Sequence, residues 1–241
     1  MAPSPSAFST DVDTGSREEN ATKQELGAAS RFEEKRRRSR TKQRQIGILL
    51  FDGVEELDVV GPFEVFGWAA SQRKDLFAIA TVAEQGDPIR CSKGLRLIPD
   101  HTLESCPSLD IILVPGGAGT RAAAQNQTLL DFVADRARQC EYVVSVCTGL
   151  RVLLAAGLAV GKRVTTYHGA VDEIRKTGLA AAVLDDVRYV RDGNLITSAG
   201  VSAGIDMALW LVGEITGDPP FARQVQRGIE YFPAPPYAAD V

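Results

Sequence analysis

Tyr142-Val-Val-Ser-Val-Cys-Thr-Gly149, continuing into Leu150-Arg-Val-Leu-Leu-Ala-Ala156, decides how this chain is read. β-formers run into a cysteine, then into Thr-Gly and an apolar run of good helix formers. The pattern predicts a buried parallel strand, a tight turn and a helix whose first turn lies beside the Cys147 thiol. Free amide N–H groups and the positive dipole end of that helix favour a thiolate over a thiol. A small residue just after a nucleophile lets the chain turn sharply. Read alone, the stretch fits a nucleophile and a core cysteine equally well, because free Cys is among the most buried residue types.

Outward from this stretch, strands alternate with helices. Ile46-Gly-Ile-Leu-Leu-Phe-Asp52, Phe77-Ala-Ile-Ala-Thr-Val-Ala83 and Leu109-Asp-Ile-Ile-Leu-Val-Pro-Gly-Gly117 read as buried strands. Phe63, Val65, Phe66 and Trp68 fall at helical spacing, and Pro62 suits the first turn of that helix, where its missing N–H costs nothing. Residues 92–99 suggest an edge hairpin or excursion, residues 127–139 a helix, and residues 161–168 a short strand followed by a helix. Asp192-Gly193 is a turn dipeptide, so residues 186–190 and 194–198 form a predicted hairpin. Ser202 suits the cap of a helix reaching Thr216, and a last helix spans about 220–230 before Pro233-Ala-Pro-Pro236. Such alternation implies an α/β fold, a mainly parallel sheet covered on both faces.

Residues 1–45 differ from everything that follows. Polar residues dominate, with almost no β-branched aliphatic or aromatic side chains, so the segment cannot offset its ordering entropy and is expected to be disordered and dispensable. It ends in the basic run Lys35-Arg-Arg-Arg-Ser-Arg-Thr-Lys-Gln-Arg44, which fits a solvated tail and, less readily, a nuclear address or nucleic-acid patch. Residues 46–241 form the expected folded domain. The chain of 241 residues carries a formal charge of −4, which gives no overall pull towards nucleic acid. No apolar run is long enough to span a membrane, and the opening residues lack the apolar stretch of a secretory signal, so none is expected. Four cysteines without a C-x-x-C pair, and two histidines, make a structural zinc site unexpected and fit free thiols in a reducing cytoplasm.

In open α/β sheets, sites form beyond the carboxyl ends of strands. Three such ends carry unusual residues: the Asp52–Pro62 loop, Pro115-Gly-Gly-Ala-Gly119 and Cys147-Thr148. The glycine segment resembles a dinucleotide loop, yet it follows the third strand and opens no clear helix, which argues against that use. Its N–H groups suit an anion forming near Cys147, or a plain turn. Asp58, between apolar neighbours, is either a helix cap or a proton-exchange partner for a thiol. His101 and His168 carry no assigned role.

With these residues in hand, residues 46–238 resemble the DJ-1/PfpI superfamily and, within it, the isocyanide hydratases. The matching stretches are Leu57-Asp-Val-Val-Gly-Pro-Phe-Glu-Val65, Val114-Pro-Gly-Gly117, Ser145-Val-Cys-Thr-Gly149, Ala155-Ala-Gly-Leu-Ala-Val-Gly-Lys-Arg163, Val190-Arg-Asp-Gly-Asn-Leu195, Ala203-Gly-Ile-Asp206 and Glu230-Tyr-Phe-Pro-Ala-Pro-Pro236. The resemblance implies a flavodoxin-like, doubly wound fold with a cysteine nucleophile elbow. It makes Cys147 the nucleophile and Asp58 the acid/base, sets Thr148 beside the nucleophile and lines the pocket with Gly116 and Gly117. The implied reaction is cofactor-independent hydration of an organic isocyanide to an N-substituted formamide through a thioimidate on Cys147. The implied partners are a small-molecule substrate and a second copy in a homodimer.

Two departures qualify the resemblance. Tyr167 stands where many relatives have histidine, which counts against a Cys-His hydrolase and leaves a Cys-Asp pair intact. The helical extension usual in hydratases is not expected after Val241. The alternatives are a glyoxalase or amide-hydrolase relative, and a ligand-binding regulatory module, for which a DNA-binding domain beyond Pro236 would be expected.

Overall fold

The computed structural model describes residues 43–232. In chain order, β1 (Arg44–Leu49) leads to α1 (Glu56–Gln72), β2 (Phe77–Ala83), β3 (Ile89–Arg90), β4 (Arg96–Leu97), β5 (His101–Thr102) and β6 (Ile111–Val114). Then come α2 (Thr120–Ala123), α3 (Gln127–Ala137), β7 (Tyr142–Val146), a 3-10 turn at Cys147–Gly149 and α4 (Leu150–Ala155). The chain continues through β8 (Arg163–Val164), α5 (Val171–Thr177), β9 (Ala182–Val183), β10 (Tyr189–Asp192), β11 (Leu195–Ser198), α6 (Ala203–Thr216) and α7 (Pro219–Gly228).

Seven strands form one sheet in the order β10-β11-β7-β6-β1-β2-β5. Every neighbouring pair is parallel except β10–β11, the predicted hairpin. The central strands are buried on both faces, which is why β6 and β7 read as near-continuous apolar runs. Helices α1, α6 and α7 pack as one group, and α2, α3 and α4 as another beside β6 and β7. This is the mainly parallel, flavodoxin-like α/β architecture expected from the sequence. The edge hairpin or excursion expected over 92–99 is an antiparallel β3–β4 ladder off the main sheet, and it starts earlier, with Ile89 opposite Leu97.

Five local expectations change. The first strand begins at Arg44, inside the segment expected to be a disordered tail. Arg44 and Gln45 join the sheet because their polar groups are met: Arg44 Nε pairs with Glu141 at 3.2 Å, and Gln45 N–H donates to Asp110 at 3.0 Å. Residues 1–42, with the rest of the basic run, and the Pro233–Pro236 stop lie outside the described residues.

The second change concerns α1, which starts at Glu56, so Pro62 lies inside the helix and Asp58 in its first turn. The start is set by a long-range bond, Glu55 N–H to Gly116 O at 2.9 Å. Gly61 and Pro62 instead serve the crossing with α6: a Cβ on Gly61 would lie 3.0 Å from Ile205, and one on Gly204 would lie 3.4 Å from Pro62.

Third, the predicted strand over 161–168 shrinks to Arg163–Val164, and His168 opens a 3-10 turn. Fourth, the first hairpin strand starts at Tyr189, because Asp186 sits in the left-handed region at φ 55°. Fifth, Ser202 holds the cap position of α6 without capping it; its hydroxyl meets Arg188 Nη2 at 3.1 Å.

Candidate active site

The end of β7 is where the sheet delivers its reactive side chain. Cys147 takes φ 56°, a conformation uncommon outside glycine, so the chain doubles back at the thiol. Three contacts hold it there. Cys147 N–H donates to Ala199 O at 3.1 Å, Thr166 Oγ1 donates to Cys147 O at 2.7 Å, and Gly149 allows the turn to lie on β6. A Cβ on Gly149 would come within 2.1 Å of Val114 O. Gly116 is pressed as closely: its Cβ would lie 2.6 Å from Thr148 N, 2.8 Å from Cys147 Cβ and 2.8 Å from Asp58 Oδ2. Three strand ends predicted to converge are thus in contact through two glycines.

Asp58 comes from the first turn of α1 and is fully buried. Its Oδ2 accepts the Gly116 N–H at 2.8 Å, whereas Oδ1 has no hydrogen-bond partner. The Cys147 thiol lies against this carboxyl and lowers its pKa as a hydrogen-bond partner, although no aligned bond closes on Oδ1. Such misalignment is common in substrate-free sites. Burial dominates and pushes the Asp58 pKa up to about 7; the Gly116 N–H opposes the rise and the nearby Glu55 charge adds to it.

The thiol shows the main electrostatic correction. A helix N-terminus was expected to lower its pKa. Burial, followed by the facing Asp58 charge, pushes Cys147 up to about 12. The Thr148 and Val201 N–H groups and the Thr148 hydroxyl work in the favourable direction and are outweighed. The pair therefore holds one proton between about pH 7 and about pH 12, shared between carboxyl and sulfur. A nucleophilic thiolate forms here only as the proton leaves for Asp58 or for substrate.

The glycine N–H groups also differ from expectation. Gly116 N–H is committed to Asp58 and Gly117 N–H to the Thr148 hydroxyl, at 3.0 Å, so neither faces an open anion position in this geometry. Sequence reasoning missed Val201, whose N–H faces the sulfur from φ 48°, a strained state for a β-branched residue. It also missed Thr166. The position of the chain just after β11, beside β7 in a parallel sheet, was the only sequence signal for Val201, and Thr166, two residues past β8, carried none.

Beyond Thr166, Ala199 and Val201, all of which touch Cys147, a cavity of about 640 Å³ opens. Tyr167 and Val171 wall it, and Asp172 and Arg175 stand at its edge. Exposed His168 sits on the same edge with its ring 4.3 Å from that of Tyr167.

With this geometry in place, comparisons with known proteins become informative. The family model described as "DJ-1/PfpI family" matches residues 44–214. Isonitrile hydratase of Pseudomonas putida is 46% identical over 193 residues, covering 80% of this chain and 81% of that protein. The crystal structure of a THiJ/PfpI family protein from Pseudomonas syringae superposes with a TM-score of 0.74 at 37% identity, covering 83% of this chain and 80% of that one. DJ-1beta of Drosophila melanogaster shares the fold, with a TM-score of 0.69 at 23% identity over 78% of this chain and 98% of that one.

Proposed function

The chain belongs to the DJ-1/PfpI family, and from that premise we propose that it is a lyase adding water to an organic isocyanide to give an N-substituted formamide. The observation that carries this reading is the Asp58 carboxyl, buried against the Cys147 thiol with its pKa near neutrality. Hydration of an isocyanide places a nucleophile and a proton on the same terminal carbon. A thiol–carboxylate pair sharing one proton supplies both.

In the proposed sequence, Cys147 sulfur forms a bond to the terminal carbon while its proton passes through Asp58 to that carbon. The product is a thioimidate, R–N=CH–S–Cys147, with Asp58 ionised. Asp58 then takes a proton from water as the water oxygen bonds to the same carbon, and delivers it to nitrogen. The tetrahedral adduct collapses: the C–S bond breaks, the hydroxyl proton returns to the Cys147–Asp58 pair, and R–NH–CHO leaves. The atoms sum to isocyanide plus water, so this chain's own groups suffice and no cofactor is invoked. Thr148, Gly116 and Gly117 act by holding the pair. The cavity beside Tyr167 receives the organic group, its volume being of the order usual for small-molecule sites.

The test is formamide production by purified protein from cyclohexyl and aryl isocyanides, with Cys147→Ser as control. Turnover that needs Cys147 supports the reading; no formamide at high enzyme concentration overturns it. Methylglyoxal consumption, assayed beside it, separates the glyoxalase alternative. The proposal includes a homodimer, supported by the exposed Leu57, Val60 and Phe63 of α1, and sedimentation tests it. It also includes a cytoplasmic setting, with which the four free thiols agree.

A further inference from the structure

We infer that Arg151 is a positioning residue for the elbow: acting through Thr120, it leaves the Thr148 hydroxyl proton for the Cys147 sulfur. The inference rests on the reading of Cys147 as nucleophile. Arg151 is the second residue of α4, and its side chain is only 11% exposed. Its guanidinium forks onto Glu173, with Nε to Oε1 at 2.7 Å and Nη2 to Oε2 at 2.6 Å. The remaining edge points inward, with Nη1 donating to Thr120 Oγ1 at 3.2 Å. Thr120 is fully buried and lies 3.3 Å from the Thr148 hydroxyl oxygen.

The proton inventory gives this contact its purpose. Because Thr120 Oγ1 accepts from Arg151, it directs its own proton elsewhere, and its nearest acceptor is Gly117 O at 2.8 Å. Thr120 N–H reaches the same carbonyl at 3.2 Å. A carbonyl oxygen has two lone pairs, so Thr120 fills Gly117 O. Thr148 Oγ1 accepts the Gly117 N–H at 3.0 Å and still has a proton to place. Gly117 O, 3.2 Å away, is the acceptor it would otherwise use, and it is taken. Of the acceptors left, a developing thiolate is the strongest, since hydrogen bonds to an ionised partner outweigh neutral ones. Without Arg151, the Thr120 hydroxyl is free to turn onto Thr148 Oγ1. The Thr148 proton then falls to Gly117 O, and the sulfur loses a donor.

The experiment uses the full chain with Arg151→Met, Arg151→Lys, Thr120→Val and the double variant Arg151→Met/Thr120→Val. Alkylation of Cys147 by iodoacetamide is followed by peptide mapping across the neutral-to-alkaline range, beside kcat and KM for an isocyanide. Arg151→Met and Thr120→Val are each expected to slow Cys147 alkylation about 10- to 100-fold, the worth of one hydrogen bond to an ionised group. The drop in kcat should match, with KM almost unmoved because neither residue lines the cavity. Arg151→Lys, which keeps a charged donor, should recover part of the loss, and the double variant should be no worse than either single one. Unchanged alkylation in folded Arg151→Met or Thr120→Val overturns the inference, and so do losses that multiply in the double variant. If the wild-type protein hydrates no isocyanide, the proposed function falls, while the alkylation series still decides the role of Arg151.

Discussion

Asp58 is a carboxyl whose position strains the fold it serves. Its folded pKa of about 7 lies above the ordinary carboxylate value of 3.8. The native state therefore binds a proton that the unfolded chain has lost throughout that window. Stability falls as pH rises through it, and the full cost is present above about pH 7. A shift of roughly three units corresponds to up to about 4 kcal/mol. Asp58→Asn removes the ionisation and keeps an acceptor for Gly116 N–H. The variant should be more stable than wild type at pH 8, and the gain should shrink as pH falls towards 4, read as urea midpoints at both ends. Turnover should fall about 10²–10⁴-fold, the range for lost acid–base catalysis, while Cys147 remains alkylatable. In the unaltered protein, kcat/KM should drop as pH falls through about 7, where Asp58 gains a second proton for the pair. His168→Ala should cost far less than Asp58→Asn, since His168 is exposed on the cavity edge and the carboxyl is what faces the thiol. A crippled His168→Ala beside an active Asp58→Asn would replace the Cys-Asp pair with a Cys-His one.

At the scale of single elements, the strand–turn–helix around Cys147 was legible because each part obeys a local rule: an apolar run, a small turn residue, then helix formers. What surrounds it was not. The start of α1 was misread because Pro62 carries a strong first-turn signal, whereas the actual start is fixed by Gly116 O, some sixty residues away in sequence. The pKa of Cys147 was misread for a similar reason. A helix terminus is visible in sequence, but burial and the facing carboxylate, which outweigh it, arise only on folding. The left-handed Val201 has no sequence signal, since nothing in a valine favours φ 48°. Gly116 was legible as a close approach, and it yields an element-scale prediction. Gly116→Ala adds a methyl group 2.6 Å from Thr148 N and 2.8 Å from both Asp58 Oδ2 and Cys147 Cβ. Asp58 Oδ2 ends a side chain, but Thr148 N is backbone and Cys147 Cβ is fixed to it, so the elbow must shift away from Gly116. The expected loss is about 1–3 kcal/mol of stability, as for other overpacked sites, with a larger proportional loss of turnover. Differential scanning calorimetry and initial rates check the two effects, and an active, stable Gly116→Ala would mean that the elbow is looser than its contacts imply.

Across the whole molecule, the sheet keeps its chemistry at one end and its first anchoring contacts at the other. Composition suggested that the entire basic run, through Arg44, could be removed without consequence. The structure moves that boundary. Arg44 is 2% exposed, its N–H donates to Leu76 O at 3.0 Å, it stands opposite Phe77 in the β1–β2 register, and its guanidinium meets Glu141. Two truncations that differ by only two residues should therefore behave differently. Deleting residues 1–42 leaves β1 whole and should leave the urea midpoint at the full-chain value. Deleting residues 1–44 removes the opening of β1 and the Arg44–Glu141 pair. Glu141 is 40% exposed and can return to water, so the cost comes mainly from lost strand pairing and packing, about 1–3 kcal/mol. Turnover at low temperature should be the same for both. The opening of β1 lies a strand's length, roughly 20 Å, from the carboxyl ends of the parallel strands where Asp58 and Cys147 meet. Equal midpoints for the two truncations would show that Arg44 adds nothing to the sheet, and unequal turnover at a temperature where both are folded would show that the two ends of the sheet are coupled.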